Sequence, residues 1–261
     1  MQSTLAEFIP EIQARDTLVP PEIAAVTKRP APETLHPSLW LGHQLGSHSD
    51  AVEASGFPVL DAELPGGGWP RRCLIELLLP HPGVGEIRLT APALTRAQAR
   101  VVMLFDPPLQ LDAAVLVRLG FDLDQLFVVK TRSRTLPGSD SLWSLEQALK
   151  SGHVGAVMAC LPPRLRAERL RRLQLAAHSH DGVAFVMRET AAADRPSASP
   201  LRLTLRASVV DRLQLGIVKR RGPPLVEPLL LDLPSVLSAA ARRRSLAPKA
   251  REGVDHSVTA I

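Results

Sequence analysis

The chain has 261 residues and a mass of 28.2 kDa, enough for one large domain with a full hydrophobic core flanked by tails. Hydrophobic residues make up 45% and charged residues 22%, which excludes a disordered polymer. The net charge of +5 is carried mostly by arginine, a balance that suits an acidic partner such as DNA but is too mild to establish one.

No apolar run approaches the roughly 20 residues of a membrane span; the longest, Leu74 to Leu79, is interrupted by Glu76 and closed by Pro80. The N-terminal stretch MQSTLAEFIPEIQARD has neither a basic flank nor a long apolar stretch, so no secretory leader is expected, and the chain is expected in the cytoplasm with no membrane partner. Cys73 and Cys160 lie in apolar stretches and read as buried small hydrophobes, not zinc ligands.

In chain order, residues 1–37 read as a Pro-rich N-terminal arm, with Pro20, Pro21, Pro30, Pro32 and Pro37 and little apolar periodicity. Residues 38–240 carry the pattern of a folded core. Five apolar runs without alternation, Leu74 to Leu79, Val101 to Asp106, Leu126 to Lys130, Val154 to Leu161 and Val183 to Arg188, predict strands buried on both faces. Between them, Leu94 to Arg100, Asp112 to Leu119, Ser141 to Lys150 and Arg164 to Ala177 read as helices. The alternation predicts an α/β fold, a mainly parallel sheet flanked by helices. Leu201 to Arg206 and Leu213 to Val218 alternate and are expected to add antiparallel strands at one sheet edge. Residues 241–261, opening on Arg242, Arg243 and Arg244, read as a basic, disordered tail.

Ligands of an open parallel sheet collect at the carboxyl ends of its strands. The first such loop is Pro80-His-Pro-Gly83-Val-Gly85-Glu86-Ile87, with two glycines where a phosphate-binding loop would have them. The Lys and Ser or Thr of such a loop are missing: Glu86 would repel a triphosphate, Ile87 cannot ligate magnesium, and Arg88 is a weak substitute. No cofactor and no metal ligand set is expected; His178-Ser-His180 lacks partners at ligand spacing.

Upstream, Leu60-Asp-Ala-Glu-Leu-Pro-Gly-Gly-Gly-Trp-Pro-Arg71-Arg-Cys-Leu-Ile-Glu76-Leu resembles a run of the RecA family, as does Arg118-Leu-Gly-Phe-Asp-Leu-Asp-Gln-Leu126 after Asp106 and Asp112. The resemblance covers about residues 55–220 and implies a RecA-like P-loop NTPase fold. It does not carry over the family's catalytic residues. The position of the water-activating carboxylate, two after Asp106, holds Pro108; the acidic end of the second nucleotide strand falls at Ala159-Cys160; the polar sensor falls near Met187-Arg188. With Glu86 in place of lysine, the resemblance implies a core that does not hydrolyse ATP. The chain also runs directly from Pro162-Pro163 into Arg164, where RecA has a long DNA-binding segment.

Within that group, His36-Pro-Ser-Leu-Trp40, the Gly66-Gly-Gly-Trp-Pro70 turn and Leu215-Gly-Ile-Val-Lys219-Arg220-Arg221-Gly222 are similar to the ImuA family. These are RecA-like accessory proteins of damage-induced (SOS) mutagenesis cassettes. That resemblance implies a non-catalytic adaptor in translesion DNA synthesis. Its implied partners are an ImuB-like Y-family polymerase homologue and, through it, an error-prone polymerase III alpha subunit, with DNA or RecA as further contacts. Two alternatives stay open: a divergent RecA-type DNA-dependent ATPase, and a cell-division inhibitor similar to SulA. Candidate contacts for partner or DNA are Arg164, Arg166, Arg169, Arg171 and Arg172 on one helix, Lys219, Arg220 and Arg221, and Arg242 to Arg244. Trp69, in its glycine-rich turn, reads either as an exposed anchor or as a core residue.

Overall fold

A computed structural model describes residues 51–131, 139–162 and 164–246 of the chain. The arm 1–37, the His36 to Trp40 motif and residues 247–261 lie outside the described residues.

Eight strands form one sheet. In chain order they are β3 (Leu74–Leu79), β4 (Val101–Phe105), β5 (Leu126–Val129), β6 (Val154–Cys160), β7 (Val183–Glu189), β8 (Leu201–Ala207), β9 (Arg212–Lys219) and β10 (Leu229–Asp232). A separate two-stranded ladder precedes them, β1 (Val52–Glu53) paired with β2 (Trp69–Pro70). The sheet order is β10-β9-β8-β3-β7-β6-β4-β5. Every pair from β8 across to β5 is parallel, while β9 runs antiparallel to β8 and β10 to β9. The two alternating segments after residue 200 extend one edge as expected, β8 by parallel pairing to β3 and β9 antiparallel to β8, and β10 adds a further antiparallel strand there.

The five apolar runs form strands within a residue or two of their predicted bounds. Leu74 to Leu79 is buried throughout because helices cover both sheet faces. On one face Ile75, Leu77, Val102, Leu104 and Phe185 pack with Leu89 and Leu94 of the helix Glu86–Arg96. On the other, Leu74, Phe105, Val157 and Val186 pack with Leu145 and Leu149 of the helix Ser139–Lys150 and Leu170 and Leu173 of the helix Ala167–Ala177. Each fully buried leucine contributes about 1.5–3 kcal/mol relative to exposure. The exception is β5, whose Phe127 and Val128 are exposed because it is the sheet's outer strand. Trp69 is a core residue: it is fully buried and meets Phe185 edge-on, ring centroids 5.2 Å apart.

Helix starts follow their caps. The Asp112 carboxylate accepts from Ala114 N at 2.8 Å and Val115 N at 3.1 Å, opening the helix Ala113–Arg118. At the start of the tail segment Ala239–Leu246 is helical, and Arg242 pairs with Asp211 at 3.2 Å. No helix among the described residues is long and apolar enough to cross a membrane.

His180 closes the turn after the helix Ala167–Ala177 and is buried, with neither ring nitrogen given a hydrogen bond of good geometry among the described residues. Burial pushes its pKa down, and the Val183 backbone and Asp181 offset only part of that. An unfolded histidine titrates near 6.5, so on acidification the unfolded chain takes up this proton first. Stability is therefore retained above about pH 6.5 and falls below it, by up to about 1.4 kcal/mol per pH unit. Denaturant titrations at neutral and acidic pH should show a larger acid loss in the wild type than in His180→Leu. Equal losses would remove His180 from the acid response.

Candidate functional site: a closed phosphate loop

The loop after β3 is built by its residue types. Pro80 has no N–H to continue a ladder, and Gly83 and Gly85 adopt φ of 87° and 122°, which a side chain would oppose. Val84, 2% exposed, anchors the loop to the core between them. A Cβ on Gly85 would lie 2.6 Å from Leu233 Cδ1, so the segment after β10 packs directly on this turn. Gly85 then caps the helix Glu86–Arg96, with no side chain supplying an acceptor for its first N–H groups.

The acceptor comes from inside the helix. Glu86 turns its carboxylate back into the loop, where Oε1 accepts from Gly83 N at 2.7 Å and Oε2 from Gly85 N at 3.0 Å. The residue is 4% exposed. Backbone N–H groups converging at a helix N-terminus form an anion receptor, and here the anion is the chain's own. Glu86, expected to repel a phosphate, has its carboxylate on two of the loop's N–H groups. Ile87 packs partly into the core, and Arg88 extends to Asp211 Oδ1 at 2.8 Å.

The surroundings are mainly apolar. A cavity of about 250 Å3 beside the loop is lined by Ile87, Pro108, Leu111, Leu116 and Met187 among others. Asp106, with φ of 45° at the end of β4, holds Thr131 instead of facing the loop: Oδ1 accepts from Thr131 N at 2.7 Å and Oδ2 from its hydroxyl at 2.8 Å. A second cavity of about 440 Å3 joins Pro108 to Cys160, Arg188 and Glu189 at the ends of β6 and β7. Burial, then Asp106, Glu86 and Glu189, push the Cys160 thiol up, so it stays protonated and is no nucleophile. Glu189 is a carboxylate that sequence reasoning missed; its one signal was its place after the buried run Val183 to Arg188. The arginine at the sensor position is turned away into the sheet, where Arg188 Nη1 donates to Glu76 Oε1 at 2.7 Å. No cluster of three His, Cys, Asp or Glu among the described residues is arranged to hold a metal ion.

The candidate cations do not form one surface. Arg164, Arg166, Arg169 and Arg171 are exposed at or before the helix Ala167–Ala177, but Arg172 is tied to Glu146 at 2.7 Å. Lys150 and Arg172 together hold the Glu146 carboxyl below its ordinary value against the opposing effect of burial. Lys219 Nζ donates to Ser197 O at 2.9 Å, and Arg220 to Glu63 Oε2 at 2.9 Å and Pro223 O at 2.6 Å. Arg221 lines a cavity at the opposite rim of the sheet. Arg243 is exposed, and Arg244 is placed only by its helical backbone.

No family model matches the chain. RecA of Listeria welshimeri, of Listeria monocytogenes and of Listeria ivanovii are each 32% identical to it over 133 residues, 48% of this chain and 37% of theirs. The match thus spans little more than a third of the length of these relatives. Over that stretch the chain is RecA-like in sequence, as the parallel sheet and its glycine-turned loop are RecA-like in architecture.

Proposed function

We propose that the chain is a non-hydrolysing RecA-like accessory protein that acts in damage-induced translesion synthesis. The observation that carries the non-catalytic part is Glu86, whose carboxylate takes the Gly83 and Gly85 N–H groups. Pro108 where a carboxylate would activate water, and an Arg188 bound to Glu76, support the same reading. The pathway and the partners, an ImuB-like Y-family polymerase homologue and an error-prone polymerase III alpha subunit, rest on the resemblance to the ImuA family. In this division of labour the sheet is a rigid platform, and recognition falls to the segments from Leu201 onward and to the exposed arginines before and on the helix Ala167–Ala177.

The second reading, a DNA-dependent ATPase of RecA type, draws on the 32% identity to RecA and requires Glu86 to leave the loop. One experiment separates the two. The purified chain is titrated with a fluorescent ATP analogue and magnesium, with hydrolysis followed in the same sample, with and without single-stranded DNA. The adaptor reading expects no turnover and no magnesium-dependent binding; saturable magnesium-dependent binding with DNA-stimulated turnover would make the chain a working motor. Overexpression that yields filamentous cells would favour a division inhibitor instead.

A further inference from the structure

A cavity of about 460 Å3 lies away from the phosphate loop. It opens at the other end of β3, six residues or roughly 20 Å away. Its walls include Arg71 and Arg72 just before that strand, Gln174 and His178 at the end of the helix Ala167–Ala177, and Arg221 after β9. Three arginines contribute to it and no aspartate or glutamate does. Arg71 shares Glu53 with Arg96, so one carboxylate faces two guanidiniums and leaves the region cationic.

Arg72 stands out by its backbone. It is exposed and adopts φ of 59°. The other left-handed residues that are not glycine, Asp106 and Asp211, are of a type that tolerates this conformation, whereas an arginine is opposed by its Cβ. Glycine would make the same turn without strain, so the fold gains nothing local from a long cationic side chain here. Strain held at the mouth of a cavity marks a functional position more often than a structural one.

We propose that this cleft binds the phosphate group of a phosphate ester, with Arg72 as its principal contact. Arg71 is compensated by Glu53, so the cleft's charge falls to Arg72, and a guanidinium matches phosphate oxygens in charge and fork geometry. No Phe, Tyr or Trp lines the cleft and its one aromatic ring is the His178 imidazole, so the guanidinium and not base stacking is the principal contact. The ester is supplied either by a free nucleotide or by the backbone of a nucleic acid strand. The site stands independently of the adaptor reading, since it shares no residue with the phosphate loop.

The test uses the full chain, with labelled oligothymidylate and inorganic phosphate as probes in equilibrium titrations at fixed ionic strength. Arg72→Gly is expected to weaken both at least about tenfold, the loss of one charge-assisted contact, while raising Tm by about 2–4 °C as strain is relieved. Arg72→Lys, which keeps the charge but loses the fork, should fall between the wild type and Arg72→Gly. Phosphate competing with oligothymidylate assigns the cleft to a nucleic acid backbone; phosphate binding alone assigns it to a free ester. Unchanged affinity in Arg72→Gly, an equal loss in Arg169→Ala on the exposed helix, or a wild type that binds neither probe would overturn the proposal.

Discussion

Replacing Glu86 with alanine is expected to destabilise the chain and, in the same step, to turn its closed loop into an anion receptor. The carboxylate, on a buried residue, accepts from Gly85 N in the covered part of the turn and from Gly83 N at its exposed part. Without it, two donors at the start of the helix Glu86–Arg96 lose their acceptor, a loss of about 1–3 kcal/mol. The donors keep their direction, because the positive φ of Gly83 and Gly85 and the buried Val84 set the turn, not the glutamate. An added oxyanion can therefore take the vacant place, favoured by the helix dipole. Phosphate at about a hundred times its Kd would return about 2.7 kcal/mol. The check is a series of thermal melts in rising phosphate at constant ionic strength, with Arg72→Gly as the background in both proteins so that the distant cleft does not respond. Protection confined to Glu86→Ala is the expected result. Protection of both proteins, or of neither, would mean that Glu86 does not occupy a phosphate position.

That position was only half legible in the sequence. The types and spacing of Gly83, Gly85 and Glu86 show a phosphate loop without its cation, but not that the side chain one residue past Gly85 folds back to hold Gly83. The distinction is one of rotamer and packing, set by Val84 and by Leu233 pressing on Gly85 from 148 residues away. The parallel strands were legible because burial on both faces leaves a continuous apolar run, as in Leu74 to Leu79. β5 carries the same signature for a different reason: Phe127 and Val128 are apolar at an outer strand that leaves them exposed. The predicted helix Leu94 to Arg100 overlaps only the end of Glu86–Arg96, because Pro92 lies inside that helix and Glu86, Arg88 and Thr90 interrupt its apolar stripe. Thr90 is nonetheless buried and donates to Glu86 O at 2.9 Å, a local bond that composition does not show. β1, β2 and β10 are two to four residues long and escape any periodicity.

Glu76 poses the other large test, because it is the anion in a buried group of three charges. It sits in β3 with no exposed surface, between Arg188 of β7 and Arg202 of β8. Arg188 donates to Oε1 at 2.7 Å and Arg202 Nε to Oε2. Arg202 also donates to the carbonyls of Ala192 and Ala193, at 2.6 and 3.0 Å, which ties the turn after β7 to the sheet. Removing the shared anion is the costly change, because Glu76→Leu leaves two buried guanidiniums uncompensated. The expected loss is at the upper end of about 3–5 kcal/mol, read as a lower denaturant midpoint. Arg188→Met should cost much less, since a neutral Glu76–Arg202 pair remains and Arg188 Nε already lacks a partner. Combining Glu76→Leu, Arg188→Met and Arg202→Met should recover part of the stability but not all of it, because the Ala192 and Ala193 carbonyls would lose their donor. If the three single substitutions cost the same and the triple variant their sum, the group does not act as a charge cluster. The ranking also bears on function: Arg188 reaches the adjoining cavity beside Glu189, but its guanidinium is anchored by Glu76 at 2.7 Å and serves the sheet.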